Sequence, residues 1–248
     1  WSSDVCSSDL LPTTDAYGAL MPHLLAGIYL HIPFCHKACH YCDFHFSTRT
    51  KGLTEMTHAM IQEMQWQAGW FDDTLFVPDT LYLGGGTPSL LPLQELEKLM
   101  RGVYQYFGNH HFKEVTLEAN PEDVTESNAL AWRAMGISRI SAGVQSFQET
   151  FLRQVNRNHS ARQAGDALDI LQKTGFDNFS TDLIFGFPGQ TLKQLENDLN
   201  QLLAYHPPHV SAYCLTIEQG TVLSKWQKQK KWEETDENLL EEQFYLIR

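Results

Sequence analysis

Cys35, Cys39 and Cys42 crowd into one short stretch with the spacing C-x3-C-x2-C. A single loop of that length can wrap three thiolates around one cluster. A four-iron cubane normally takes four thiolates, so one iron would keep an open coordination position for a small molecule. Zinc is the competing metal, with His36, His40 or His45 as the fourth ligand, but tetrahedral zinc sites use paired C-x2-C or C-x2-4-C elements and this stretch supplies one. The third reading is three buried thiols that pack as small hydrophobes. The compact spacing favours the cluster, with the histidines as loop groups around it. The chain holds 5 cysteines in 248 residues. That is too few for a disulfide scaffold, and the clustering points to metal chemistry in a reducing compartment.

Two other features ask for a ligand. Gly84-Gly85-Gly86 would let the backbone approach one with no Cβ in the way, and Thr87-Pro88 comes directly after. Glu118 and Asp182 stand at or inside otherwise apolar strands. A carboxylate buried without a partner is costly, so each must meet a cation, a hydroxyl or a bound molecule; Arg139 and Arg157 are the simplest partners.

The elements that must position these groups alternate along the chain. Strand-like segments fall at 28–32, 80–83, 114–118, 139–144, 178–184 and 210–217. Helix-like spacing links Leu53, Met56, Met60 and Met64, then Leu93, Leu96, Met100, Val103 and Phe107, then Leu192, Leu195, Leu199 and Leu202. Thr191 and Gln194 form a capping box for the last of these, Thr125 and Ser160 can cap two more helices, and Gly175 stands where the second of those two should stop. Strands separated by helices predict an α/β fold with a parallel sheet, curled into a partial (βα)6 TIM-like barrel. The chemistry-bearing residues then gather at the C-terminal ends of the strands, where such folds bind their ligands.

The remaining composition is less specific. With 18 Lys+Arg against 30 Asp+Glu the net charge is −12, which argues against a nucleic-acid binder relying on a bulk positive field. No apolar run approaches the roughly 18 residues of a membrane span, so the protein is expected to be soluble. Residues 1–20 contain Ser-Ser-Asp twice and read as a disordered or extraneous extension, with Met21 a natural start and Cys6 of little weight as a fourth ligand. Cys214, Trp66, Trp70 and Trp132 read as packing residues. The lysines and acids between Lys225 and Glu242 read as a solvated helix or hairpin, with docking of a partner or covering of the barrel mouth as the alternative.

Together these positions resemble the radical S-adenosylmethionine (SAM) superfamily, in the branch holding oxygen-independent coproporphyrinogen III oxidases and HemW heme chaperones. The matching stretches are Tyr29-Leu-His-Ile-Pro-Phe-Cys-His-Lys-Ala-Cys-His-Tyr-Cys42, Gly84-Gly-Gly-Thr-Pro-Ser89, Glu118-Ala-Asn-Pro121, Gly143-Val-Gln-Ser-Phe147, Asn156-Arg157 and Asp182-Leu-Ile-Phe-Gly-Phe-Pro-Gly-Gln190. The resemblance implies a [4Fe-4S] cluster on Cys35, Cys39 and Cys42 whose free iron chelates SAM. It also implies SAM contacts from Tyr29, Tyr41, Gly85, Gly86, Thr87, Glu118, Gln145, Arg157 and Asp182. In the family, one electron from the cluster cleaves SAM to methionine and a 5′-deoxyadenosyl radical.

The branch turns on the residues just after the third cysteine. The oxidases carry a further cysteine two places on, whereas this chain has Cys42-Asp43-Phe44, similar to the HemW subgroup, as is Pro188-Gly189-Gln190. The expected protein is therefore a heme chaperone that passes heme to respiratory acceptors; the alternative is an oxidase of porphyrin biosynthesis, coproporphyrinogen dehydrogenation. The core domain is expected at 21–224, with 225–248 opening a truncated C-terminal region. The family's HNxxYW motif has no counterpart before Arg248, so the heme ligand is expected outside this chain. The implied partners are SAM, heme or porphyrin, a heme acceptor and an electron donor, with no nucleic acid. The implied location is cytoplasmic, at most peripheral to the inner face of the membrane.

Overall fold

The computed structural model describes residues 24–70, 76–107 and 112–248. Its strands are β1 (Leu24–Ile32), β2 (Phe76–Gly85), β3 (Glu114–Ala119), β4 (Arg139–Gln145), β5 (Phe179–Phe185) and β6 (His209–Cys214). They lie in chain order in one sheet and every neighbouring pair is parallel, as helical crossovers require. β1 and β6 are the two ends of the sheet and do not pair among the described residues, so the barrel is partial and open along one side.

The crossovers carry α1 (Leu53–Gln67), α2 (Leu93–Tyr106), α3 (Glu126–Ala134), α4 (Glu149–Gln154), α5 (Ala161–Lys173) and α6 (Leu192–Ala204). Then α7 (Val222–Lys228) and α8 (Glu237–Ile247) come after β6. The helix signals act locally. Thr125 and Ser160 accept from backbone N–H groups at their helix starts, and both Ser160–Gln163 and Thr191–Gln194 close as capping boxes, relieving the unpaired N–H groups of the first turn. Gly175 sits at φ +82° just past α5, the left-handed position that stops a helix.

Alternation along the strands separates two faces. Val115, Leu117, Ile140, Ala142, Val144 and Leu183 are buried against the helix layer, where Leu96, Leu99, Val103, Leu168, Leu171 and Leu195 meet them. Most of their neighbours in sequence, among them Thr116, Glu118, Arg139, Ser141 and Asp182, point into the barrel and are polar. Arg139 donates to Thr116 Oγ1 at 3.3 Å and to Ser180 Oγ at 2.9 Å, and Ser180 donates to Ser141 Oγ at 3.0 Å.

Two packing expectations are corrected. Trp66 is 69% exposed on α1, because the apolar stripe of that helix runs through Leu53, Thr57 and Met64 instead. Cys214 is exposed at the end of β6, an end strand with no outer neighbour among the described residues. Trp132 is fully buried, as expected. Residues 1–20, Cys6, Met21 and the Trp70 side chain lie outside what is described.

Candidate cofactor site

β1 ends at Ile32, and the chain passes through Pro33-Phe34 directly into the cysteine loop. The loop is tied down by distant segments. Cys35 N–H donates to Ser47 O at 3.1 Å and Ser47 N–H to Pro33 O at 2.8 Å. His40 N–H donates to Val155 O at 3.0 Å, and Asn156, itself at φ +60°, donates from its side chain to Ala38 O at 2.8 Å. The end of β2 lies immediately beneath. A Cβ on Gly86 would stand 2.6 Å from Phe34 O and 2.9 Å from Cys35 Sγ, so only glycine allows that approach, and Gly85 at φ +118° turns the chain into it.

Arg157 enters the same place from just beyond α4. Its Nη2 donates to Asn120 Oδ1 at 2.7 Å and Gly143 O at 2.8 Å, and its Nη1 stands 3.6 Å from Cys39 Sγ. Its Nε is buried without a partner. Burial works against the guanidinium charge, but Tyr41, Cys39 and Glu122 around it hold its pKa above the ordinary value. Burial pushes the Cys35 thiol up against the opposing pull of Thr87, and pushes Cys42 up to about 11. Such thiols are protonated on their own and become thiolates when positive charge is brought to them.

A cavity of about 510 Å³ opens between this loop and the strand ends, a size suited to a small-molecule ligand. Cys35, Cys39, Cys42 and Tyr41 line it from the loop side; Gly85, Gly86, Thr87, Glu118, Gln145, Arg157 and Asp182 line it from the sheet side. Tyr29 lies outside that lining. It is 56% exposed on the end strand β1, its hydroxyl 3.1 Å from His31 Nδ1 and its ring stacked 5.9 Å from Tyr82.

The carboxylates find partners other than arginine. Glu118 accepts from the Tyr82 hydroxyl at 2.8 Å and from Gly85 N–H at 3.0 Å; burial nevertheless raises its pKa. Burial raises Asp182 to about 6, with the Glu118 charge adding to it and the Ser211 hydroxyl opposing it. Asn120 joins the site from the Glu118-Ala-Asn-Pro121 stretch, and Tyr82, Ser141 and Ser211 join it without a sequence motif of their own that marks them. Strand alternation places Tyr82, Ser141 and Ser211 on the inward face, and that periodicity is the signal that could have found them.

Gln145 is held in a strained turn. It sits at φ +68°, and Ser146 N–H closes across it onto Val144 O at 2.8 Å, a tight three-residue turn that non-glycine residues rarely adopt. The buried Asp198 of α6 secures the next residues: it accepts from Ser146 Oγ at 2.5 Å, Phe147 N–H at 3.2 Å and Gln148 Nε2 at 3.1 Å.

The donor set fits an iron–sulfur cluster. Among the described residues no three His, Cys, Asp or Glu side chains converge on one metal-ion position, whereas three thiols spread along a loop suit a cubane whose irons occupy separate corners. The unpartnered Arg157 Nε and the cavity beside the thiols leave room and a cationic group for an anionic ligand.

Comparison with known proteins agrees with this geometry. The chain is 35% identical over 201 residues to the heme chaperone HemW of Lactococcus lactis, an alignment covering 81% of this chain and 52% of the relative. It is 36% identical over 202 residues to that of Escherichia coli K12, covering 79% and 52%. The chain thus spans about half the length of these curated relatives. The solved structure of coproporphyrinogen III oxidase HemN from Escherichia coli, a radical SAM enzyme, superposes with a TM-score of 0.78 at 26% identity, covering 90% of this chain and 52% of the other. The radical SAM superfamily model matches residues 29–202, a stretch that holds β2 to β5 in full, the end of β1 and all three loop cysteines, and the chain belongs to the radical SAM superfamily.

Proposed function

We propose that Cys35, Cys39 and Cys42 hold a [4Fe-4S] cluster, that the adjoining cavity takes SAM, and that the protein serves as a heme chaperone passing heme to acceptor proteins. The observation that carries the first part is the three-thiol loop stacked on Gly86 with Arg157 beside Cys39. When bound, the cluster and SAM supply one-electron reductive chemistry. The chain's own residues bind and orient. Arg157, with its Nε unpartnered, meets a carboxylate. Glu118 and Asp182, which line the cavity, accept from ribose hydroxyls. The Gly85-Gly86-Thr87 backbone faces the methionine end, and Gln145 is presented by its turn. Tyr29 takes part only if a ligand reaches past Gly84 toward Tyr82.

The chaperone branch rests on Asp43-Phe44 after the third cysteine and on the names of the relatives. The second reading, coproporphyrinogen oxidation, is favoured by the likeness to HemN. In both readings residues 21–224 form the core domain, and in the chaperone reading heme is held by residues other than these cofactor-binding ones.

The test is anaerobic cluster reconstitution followed by SAM titration of the reduced protein under electron paramagnetic resonance. The expected result is a changed cluster signal, lost with Cys39→Ser while the fold persists; an unchanged signal on SAM addition sinks the cofactor assignment. With the full-length protein, heme transfer without coproporphyrinogen turnover is expected, and robust turnover selects the oxidase.

A further inference from the structure

Glu122 and His159 meet beside Arg157, outside the lining of the cavity. Glu122 lies in the short turn after β3, and His159 comes just ahead of the Ser160 cap of α5. Their side chains are 9% and 0% exposed, and Glu122 Oε2 stands 3.4 Å from His159 Nδ1. Neither atom has another hydrogen-bond partner among the described residues. The second ring nitrogen, Nε2, stands 3.0 Å from Val144 O.

Two acceptors thus face one ring. A carbonyl oxygen has no proton to give and neither has an ionised carboxylate, so only an imidazole protonated on both nitrogens donates to each. A bare Nδ1 would set its lone pair against a carboxylate in a dry interior. Burial works against the imidazolium charge, with Glu122 opposing it. Burial works likewise against the carboxylate, but His159 and Arg157 hold the Glu122 pKa below its ordinary value. The other charged group near the ring is Glu149 of α4, which accepts from Ala161 N–H at 3.0 Å.

The pair is tied to the cofactor site at two points. Asn120 bridges it to Arg157: the Arg157 Nη2 donates to Asn120 Oδ1 at 2.7 Å, and Asn120 Nδ2 donates to Glu122 Oε1 at 3.4 Å. Arg157 and His159 also hold consecutive carbonyls at the end of β4, Gly143 O at 2.8 Å and Val144 O at 3.0 Å, immediately before the turn at Gln145.

We infer that Glu122 and His159 are positioning residues that hold one proton between them and, neutral as a unit, leave the Arg157 charge to the carboxylate of a bound ligand, an inference that rests on SAM occupying the cavity. An unneutralised Glu122 would be a fixed anion one side chain away from the guanidinium and would compete with that carboxylate. His159 removes the competition while its other nitrogen keeps Val144 in place.

Nitrogen-15 NMR of the imidazole side chains reads the pair directly in the chain without cluster, and equilibrium dialysis of SAM against the cluster-loaded chain reads its consequence. Both nitrogens of His159 should be protonated at neutral pH. Glu122→Gln should strip the proton from Nδ1, because the introduced amide can itself donate to that nitrogen. His159→Gln keeps an N–H for Val144 O and offers none to Glu122; it should weaken SAM binding at least about tenfold, the scale of a hydrogen bond to a charged group. Adding Glu122→Gln should recover most of that loss, which two independent packing defects would not do. A bare Nδ1 in the parent, or an Nδ1 that keeps its proton in Glu122→Gln, overturns the pair, and this readout stands even where His159→Gln does not fold. SAM binding by His159→Gln within about twofold of the parent, or no recovery in the double variant, overturns the positioning role. A cluster-loaded parent that binds no SAM overturns the proposed cofactor site and with it the role of Arg157, while the nitrogen signals still show whether the pair holds its proton.

Discussion

Leu117 and Glu118 are neighbours in β3, yet they face opposite physics. Leu117 is 0% exposed among the aliphatic side chains of the helix layer. Glu118 turns inward and holds its carboxylate against a phenol hydroxyl and a backbone N–H. The contrast repeats at Ile140 and Ser141, and at Asp182 and Leu183. The outward face is where the fold gains its stability, by removing apolar area from water. The inward face accepts buried polar groups and raised carboxyl pKa values, a cost that ligand-binding surfaces carry.

The sharpest way to break this comparison is to truncate one side of it. Leu117→Ala should cost about 2–5 kcal/mol, transfer plus cavity, read as a lowered denaturant midpoint; a loss below about 1 kcal/mol would mean that the outward face is not the stabilising one.

On the inward face the expected effect is smaller and of a different kind. The folded pKa of Asp182 lies near 6, above its ordinary 3.8, so the folded state binds that proton more tightly than the unfolded state does. Its contribution is therefore full at low pH and is lost as pH rises from about 4 through 6. Asp182→Asn should remove that window, and the stability of the variant relative to the parent should rise by roughly 2–3 kcal/mol between pH 4 and 7. Urea titrations at several pH values measure it; parallel curves would place Asp182 in a wetter setting.

The smallest effect calibrates both faces. Lys173 and Glu126 pair at 2.9 Å between α5 and α3, with both side chains largely exposed. Lys173→Ala should change the unfolding free energy by no more than about 0.5 kcal/mol, and a larger loss would show that the helix layer depends on surface charge.

Much of the fold was legible in the residues because its signals are local. The Thr191–Gln194 capping box, the caps at Thr125 and Ser160, the stop at Gly175 and the periodic stripes of α2 and α6 act within a few residues of themselves. Strand existence was equally readable, and bounds moved by a few residues, most at β1 and β2. Where reading failed, the reason was the ends of the sheet. Cys214 carries a residue type that suits a packed interior, but β6 has no outer neighbour among the described residues, so Cys214 is exposed. Trp66 failed for a related reason: one large apolar residue off the helix stripe has nothing to pack against.

The site divides in the same way. The C-x3-C-x2-C loop, the glycine run and the strand-end polar residues are statements about types and spacing, and the sequence by itself determined that three thiols would share one loop beside a backbone open to ligand. Which groups answer one another was decided only in three dimensions. Glu118 meets Tyr82 and Gly85 rather than an arginine, and Arg157 reaches 118 residues back to Cys39. Asp198, 53 residues after Gln145, secures the turn that presents it. Hydrogen bonds act over about 3 Å, and only the parallel sheet, by bringing its strand ends to one rim, makes such distances possible between residues so far apart in the chain.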